Sequence, residues 1–279
     1  MTAVLCSATL RRADLPTTAR AAAAAGFSGI SVFVSEYWEA RAAGWSDAAL
    51  RGLLGELGLT VAEVDGPMAW LPGHDAFAGH RLYGPDEFAH VAEVLSARSV
   101  TVIEVAGAPV REDPAAVARS FAAVCDKAAD AGAVAHIEPF GWSGIPDLST
   151  AWEIVERAAH PAGGLLLDTW HALRGRDRSG LPGHIPVEAV LGIQVGSAAG
   201  QPADDLRKEA VTARLLPDAN DPALRALLAD LHRRGCIAPW GVEVFSDELN
   251  GLPPHAVARA AAEAYGRLRK AVDADSLPA

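Results

Sequence analysis

The sequence predicts an α/β protein, a single closed (β/α)8 TIM barrel spanning residues 1–279. Three observations carry that prediction. Eight short apolar runs rich in Val, Ile and Leu recur along the chain, the pattern of strands buried on both faces. Segments rich in Ala, Leu, Glu and Arg with helical periodicity lie between them, and no linker or low-complexity stretch interrupts the alternation. Alternating strands and helices give a parallel sheet, and eight repeats suit closure better than an open doubly wound sheet. Barrels of this kind commonly run to about 250 residues as one domain, which accommodates the 279 residues here.

In chain order, strands are expected over residues 4–8, 29–34, 60–65, 99–106, 134–139, 164–168, 191–196 and 240–245. The clearest helices cover 15–25, 47–57, 86–97, 114–131, 148–159, 222–234 and 254–272. Asp14 precedes the first helix, with Pro16 near its start, and Ser46 can cap the second. Asp113-Pro114 opens another, where the missing proline N–H costs nothing. Gly26, Gly58, Gly132, Gly163 and Gly235 each separate a helix from a strand, at the left-handed position such turns favour. The sixth connection, from Asp168 to Leu191, is irregular, with a short helix at most before a Gly/Pro-rich loop. No Gly-x-Gly-x-x-Gly follows the first strand, which argues against dinucleotide binding.

Composition narrows the partners. Half the residues are hydrophobic and 21% are charged, a globular balance. The apolar stretches are broken well before the roughly 20 residues of a membrane span, and the start, Met1 to Cys6, lacks the basic residues and long apolar run of a signal peptide. Cys6, Cys125 and Cys236 are an odd number without close pairing, which fits a reducing, cytoplasmic setting and does not resemble a zinc site. A net charge of −11 repels phosphate backbones, and no Lys/Arg cluster offsets it. The expected partner is therefore a small molecule, neither nucleic acid nor membrane; a homo-oligomer is compatible with the sequence.

In such barrels the chemistry sits where strands end at their carboxyl side. Strand five ends His136-Ile137-Glu138-Pro139 and strand six Leu165-Leu166-Leu167-Asp168. Strand seven carries Gln194 and strand eight Glu243. Four adjacent strands thus each deliver one oxygen-bearing side chain, at separations of 30, 26 and 49 residues. Three converging carboxylates repel unless a cation or protons intervene. Oxygen donors suit Mg²⁺ or Mn²⁺ better than a thiolate-preferring ion. Each acid taken alone could equally be a structural ion-pair partner; four in register on consecutive strands favour a site.

At this point the sequence resembles the xylose-isomerase-like sugar (phosphate) isomerase/epimerase superfamily over nearly its whole length. The resemblance is carried by Ile137-Glu138-Pro139-Phe140, Leu148-Ser149-Thr150-Ala151-Trp152 and Gly164 through His171. Ile193-Gln194-Val195, Arg214-Leu215-Leu216-Pro217 and Gly241 through Asp247 continue it in order. It implies one divalent metal ion on Glu138, Asp168, Gln194 and Glu243, and substrate contacts from His171 and Arg214. Many relatives have His on strand seven, where this chain has Gln194. Relatives with Gln usually continue to a Ser-Asp pair, where this chain has Gly196 and Ser197. After Arg214-Leu215-Leu216-Pro217 relatives commonly show a Gly-x-Gly turn; this chain reads Asp218-Ala219-Asn220-Asp221.

A divalent ion chelated by a hydroxy-ketone polarises the carbonyl and stabilises the enediolate left by α-proton loss. Glu138 and Glu243, on non-neighbouring strands, are the natural pair to remove and return protons. The expected activity is isomerisation or epimerisation of a sugar, keto-sugar or cyclitol. The alternatives are dehydration of a cyclic polyol ketone at the same site, or an inactive barrel that only binds. Trp70, His74 and Phe77 lie in the long loop 66–84 after strand three, a placement common for substrate walls, and Trp70 and His74 are candidate substrate contacts. Glu63, Asp65 and Glu104 could enlarge the site or serve as interior ion pairs, and His136 reads as a core histidine. No phosphate-cradling glycine loop is visible, which favours an unphosphorylated substrate. An abasic-site nuclease would need a His-rich multimetal cluster and a basic surface, and neither is present.

Overall fold

The computed structural model describes residues 3–276 except 75, 78, 79 and 179, with backbone alone at 76, 77, 80 and 81. Eight parallel strands close into a barrel: β1 Ala3–Leu5, β2 Gly29–Phe33, β3 Thr60–Asp65, β4 Ser99–Ile103, β5 Val134–Glu138, β6 Gly163–Asp168, β7 Val190–Val195 and β8 Trp240–Val242. Each strand pairs with its sequence neighbours, and β8 returns to β1 with Ala3 opposite Trp240. The helices α1 Leu15–Ala24, α2 Val34–Ala42, α3 Asp47–Glu56, α4 Pro85–Leu95 and α5 Pro114–Asp130 follow in order. Then come α6 Leu148–Ala158, α7 Thr169–Arg174, α8 Leu206–Thr212, α9 Pro222–Arg233 and α10 Pro254–Asp275. The last helix closes the ring by packing on α1.

The capping expectations hold in detail. Asp14, Ser46 and Asp113 accept backbone N–H bonds from Thr17, Ala49 and Ala116 at the starts of α1, α3 and α5. Gly26, Gly58, Gly132 and Gly235 have positive φ at helix-to-strand turns, as expected. Gly163 does not: the left-handed residue after α6 is Ala159. Gly163 is small for another reason, since a Cβ there would meet Phe121 at 3.0 Å and Cys125 at 3.2 Å.

Strands one, four and eight are shorter than their apolar runs because the residues beyond them build the mouth of the barrel. After β1 the chain forms a short 3-10 turn, Ser7–Leu10. The hydroxyl of Thr9 then donates to the Val242 carbonyl and accepts from the Val244 N–H, in place of strand partners for β8. After β4, the Glu104 carboxylate accepts N–H bonds from Ala106, Gly107 and Gly144 and braces two loops.

Helices α2 and α8 escape the sequence pattern. The first begins where β2 ends, and Glu36 turns the chain by accepting the Phe33 N–H. Its charged and aromatic residues give no clear helical apolar stripe. The second is short and capped by Asp205. Among the described residues no helix is long and apolar enough to cross a membrane. The three cysteines are free and buried. His136 is a buried core histidine that meets Thr101 at 3.1 Å, and burial, then Arg98, lowers its pKa to about 3.

The tightest constraint on strand packing is at Gly164. A Cβ there would sit 2.5 Å from the Leu191 side chain and 2.7 Å from the Ala189 carbonyl. Gly164→Ala is expected to destabilise the barrel by about 1–3 kcal/mol through overpacking; an unchanged urea midpoint would contradict this close approach of β6 and β7.

Candidate active site at the mouth of the barrel

A cavity of about 460 Å³ opens over the carboxyl ends of the strands. Its walls are mostly apolar: Phe33, Phe88, Phe140, Trp142 and Phe245 stand around it, with Leu82 and Tyr83 from the loop after β3. The polar residues Ser35, Asp65, Glu138, His171, Arg214 and Glu243 line the same space. Asp168 and Gln194 do not line it but are buried; their backbones are level in the β6–β7 register.

Arg214 organises this cluster. It follows α8, and its backbone N–H donates to the Phe245 carbonyl, tying the loop to the chain beyond β8. Nη1 donates to Asp168 Oδ2 at 2.5 Å and to Glu243 Oε2 at 3.1 Å. Nε donates to the Ala210 carbonyl at 2.7 Å, and Nη2 to His171 Nε2 at 3.0 Å. Trp170 and Phe245 flank the guanidinium at 5.1 and 5.0 Å from their ring centroids. These bonds use four of the five donors of an arginine and leave one Nη2 N–H.

The contact with Arg214 also fixes His171. Arginine only donates, so His171 Nε2 accepts and its proton sits on Nδ1, which is buried and has no partner among the described residues. Burial is the main cause holding the imidazole pKa down to about 3, so the ring is neutral. Phe140 stacks on it at 4.4 Å between centroids. Asp168 Oδ1 meanwhile accepts the backbone N–H groups of Trp170 and His171 at the start of α7, which is why three residues separate the acid from the histidine.

The structure thus brings together Glu138, Asp168, His171, Arg214 and Glu243. Glu138, Asp168 and His171 each present a ligand atom, and these atoms lie within 4.8 Å of one another. Gln194 sits slightly apart: its Nε2 donates to Glu63 across the barrel at 3.0 Å, and its Oε1 is buried without a partner among the described residues. Glu138, Asp168 and His171 are thus the cluster whose ligand atoms converge, and the nearby Glu243 carboxyl and the unpaired Gln194 oxygen are further donors of the kind a hard divalent cation takes, so the residues fit one. Trp70 and His74 are placed elsewhere. The Trp70 indole donates to the Ile103 carbonyl and packs on Phe121, so it serves the core, and His74 borders a separate space of about 10 Å³. The side chain of Phe77 lies outside the described residues. Sequence reading missed Phe33, Phe88, Phe140, Trp142 and Phe245 as walls; all but Phe88 lie just past or at strand ends, the one signal available.

Comparison with known proteins agrees with this architecture. A family model described as xylose isomerase-like TIM barrel matches residues 19–270. The chain belongs to that family. A 3-dehydroshikimate dehydratase of Pseudomonas aeruginosa is 26% identical over 245 residues, which cover 87% of this chain and 38% of that protein. The chain therefore spans well under half the length of that curated relative. Among solved structures, the IOLI protein with a bound zinc atom superposes with a TM-score of 0.80 at 16% identity, covering 97% of this chain and 99% of that one. A probable 3-DHS dehydratase of Bacillus anthracis superposes with a TM-score of 0.70 at 11% identity, over 95% and 99% of the two chains. These likenesses establish the fold.

The departures from the family pattern on strand seven and after Arg214 have local structural roles. A Cβ at Gly196 would meet the Glu243 carbonyl at 2.8 Å, so only glycine lets β7 lie this close to the site. Thr169 holds Gly196 through its hydroxyl, which bonds both the carbonyl and the N–H. Ser197 accepts the Asp218 N–H, and Asp218 in turn accepts from Asn220, so a side-chain-bonded turn stands where relatives place glycines.

Burial raises the Glu138 and Glu243 pKa values well above the ordinary carboxyl range, and neighbouring acids add to it. Asp168 is also pushed up by burial, but Arg214 and His171 outweigh that and hold it below its usual value. A hydrogen bond shared between Glu243 and Asp168 favours the proton on Glu243. Glu63 is raised to about 8 and Asp65 to about 6, chiefly by burial. Beside the site, Glu36 is raised to about 7 by burial, despite bonds from Ser7 and Phe33.

These shifts set a pH dependence. Unfolded glutamates ionise near 4.5, whereas folded Glu36 keeps its proton to about 7 and Glu63 to about 8. Between those values the folded chain binds more protons than the unfolded one, so stability present below 4.5 is lost as pH rises towards 8. Metal-free protein is expected to melt lower at about pH 8.5 than at about pH 5.5, and Glu36→Gln to shrink that difference. An equal drop in the variant would refute the Glu36 contribution.

Proposed function

We propose that this chain is a metal-assisted enzyme that removes a proton beside the ketone of a cyclic hydroxy-ketone and eliminates water. The observation that carries the proposal is the pairing of two buried acids, Glu138 and Glu243, at the floor of a cavity walled by aromatic side chains. One divalent cation, Mn²⁺ or Mg²⁺, on Glu138, Asp168, Gln194 and Glu243 would polarise the ketone oxygen and keep its carboxylate ligands ionised. One carboxylate takes the α-proton, and the electrons of the broken C–H bond become the enolate. As the enolate collapses, a carbon–carbon double bond forms and the β-hydroxyl leaves. The proton just taken is handed on to that hydroxyl, with the second carboxylate relaying it, so that it departs as water. Arg214 holds Asp168 and Glu243 in place and offers its remaining N–H to a substrate oxygen.

Isomerisation or epimerisation would use the same two acids and differ only in where the proton returns. The walls favour elimination: Phe33, Phe140, Trp142 and Phe245 suit a ring with an apolar edge better than an open, fully hydroxylated chain. The 26% identical relative named as a 3-dehydroshikimate dehydratase supports the same choice. Arg214 is the cationic residue of the lining, and its donors are largely committed, which favours a substrate without phosphate.

Mild purification is expected to retain about one divalent ion per chain, because converging carboxylates need a counter-charge. No metal by elemental analysis, with no thermal shift on adding Mn²⁺, would overturn the cation site. Glu138→Gln and Glu243→Gln should each lower turnover by at least about 10²–10⁴ with folding retained. Product analysis on 3-dehydroshikimate beside a panel of ketoses and cyclitols separates the reactions; an isomer without a dehydrated product would replace the elimination with isomerisation or epimerisation.

A further inference from the structure

We infer that Glu63 is a positioning residue for Gln194, holding the amide nitrogen so that the amide oxygen is left for a divalent cation. The inference rests on the proposed cation site. Glu63 stands on β3 and Gln194 on β7, opposite strands of the eight, so their bond crosses the barrel interior. Both are buried, at 2% and 0% exposure, and Gln194 Nε2 donates to Glu63 Oε2 at 3.0 Å.

A glutamine amide turned half a revolution about its last bond presents nitrogen where oxygen stood. Left to itself, Gln194 could meet a cation with either atom, and the N–H end would repel it. Glu63 removes that ambiguity once a cation is bound nearby, because the positive charge favours the ionised carboxylate, which only accepts, and only the nitrogen of the amide can serve it. The oxygen must then lie away from Glu63. Gln194 Oε1 is buried and finds no donor among the described residues. Leaving a buried acceptor unpaired forfeits its hydration with nothing in return, a cost that an apolar pair across the barrel would avoid. Gln194 is level with Asp168 in the β6–β7 register, so the two residues leave neighbouring strands side by side. A purely structural pair accounts for the hydrogen bond but not for the unpaired oxygen.

The test measures Mn²⁺ binding to metal-free protein by the electron paramagnetic resonance signal of the free ion. It compares wild type, Glu63→Gln, Gln194→Glu and the double variant. Glu63→Gln is nearly isosteric and is expected to weaken Mn²⁺ binding by about 10–100-fold, the usual scale for a group that orients a metal ligand. The melting midpoint of the metal-free variant should stay at or above that of wild type. In the double variant the amide at position 63 donates to the carboxylate at position 194, and affinity should recover. Gln194→Glu alone sets two carboxyl groups face to face and should gain less than the second substitution adds in the Glu63→Gln background. Wild-type affinity in Glu63→Gln overturns the inference and leaves the cation site standing. Absence of Mn²⁺ binding by wild type overturns both. Parallel loss of affinity and of the metal-free midpoint, unrecovered in the double variant, makes Glu63 structural and also overturns it.

Discussion

Five carboxyl groups, from Glu63, Asp65, Glu138, Asp168 and Glu243, are buried within one end of this barrel, and the guanidinium of Arg214 is the fixed charge that lets them coexist. Removing an ion from water costs several kcal/mol even after relaxation, so this cluster survives only through pairing, protons or a bound cation. The guanidinium pairs with Asp168 and Glu243 and holds Asp168 ionised. Burial outweighs its pull at Glu138 and Glu243, which keep their protons well past the usual range, as does Glu63. Burial keeps His171 neutral, and its contact with Arg214 sets the tautomer. Much of the chemistry available at the mouth therefore follows from where one arginine is placed.

That placement depends on short irregular segments more than on the barrel. Arg214 lies beyond α8, and Arg174 from α7 ties α8 down by bonding Glu209 through Nε and Nη2. Glu209 also accepts the Ala203 N–H, which fastens the loop leading into α8. On the other side, Ser197 and Leu215 exchange backbone bonds, so the chain after β7 and the chain after Arg214 run as a small antiparallel bridge. Glycine at 196 permits the approach of that bridge to β8. A rigid sheet supplies Asp168 and Gln194, while these loops bring up the arginine that occupies Asp168 Oδ2.

The barrel was legible because burial on both faces leaves a plain mark: runs such as Leu165-Leu166-Leu167 have no polar alternation to confuse them. Residues at the ends of those runs were legible for the same reason, since a charge after an apolar strand stands out. What escaped was set by contacts remote in sequence. The helical start at Val34 depends on Glu36 folding back on Phe33, and nothing in the apolar pattern marks it. Trp70 was read as a wall of the site because long loops after strands often provide one; in three dimensions the Ile103 carbonyl and Phe121 draw it into the core. Arg214 was legible as a residue near substrate, but not as the ion-pair partner of Asp168, 46 residues earlier. Periodicity reports which face a residue takes and is silent about which partner it meets.

Charge balance joins these observations to the proposed chemistry. Among the three carboxyl groups that would hold the cation, Glu138, Asp168 and Glu243, Arg214 offsets one negative charge and a divalent cation would offset the other two. Neutral His171 and neutral Gln194 leave that balance undisturbed. A doubly charged phosphate would break it, in a cavity whose walls are aromatic and whose arginine is already engaged. A ketone that becomes an enolate adds negative charge only while the proton is in transit between carboxyl groups. Such a site stabilises charge made during the reaction more than charge carried in by the substrate, which is the condition for lowering a barrier instead of merely binding tightly. A neutral glutamine on β7, and an arginine held by Asp168 and Glu243, are then parts of one electrostatic arrangement.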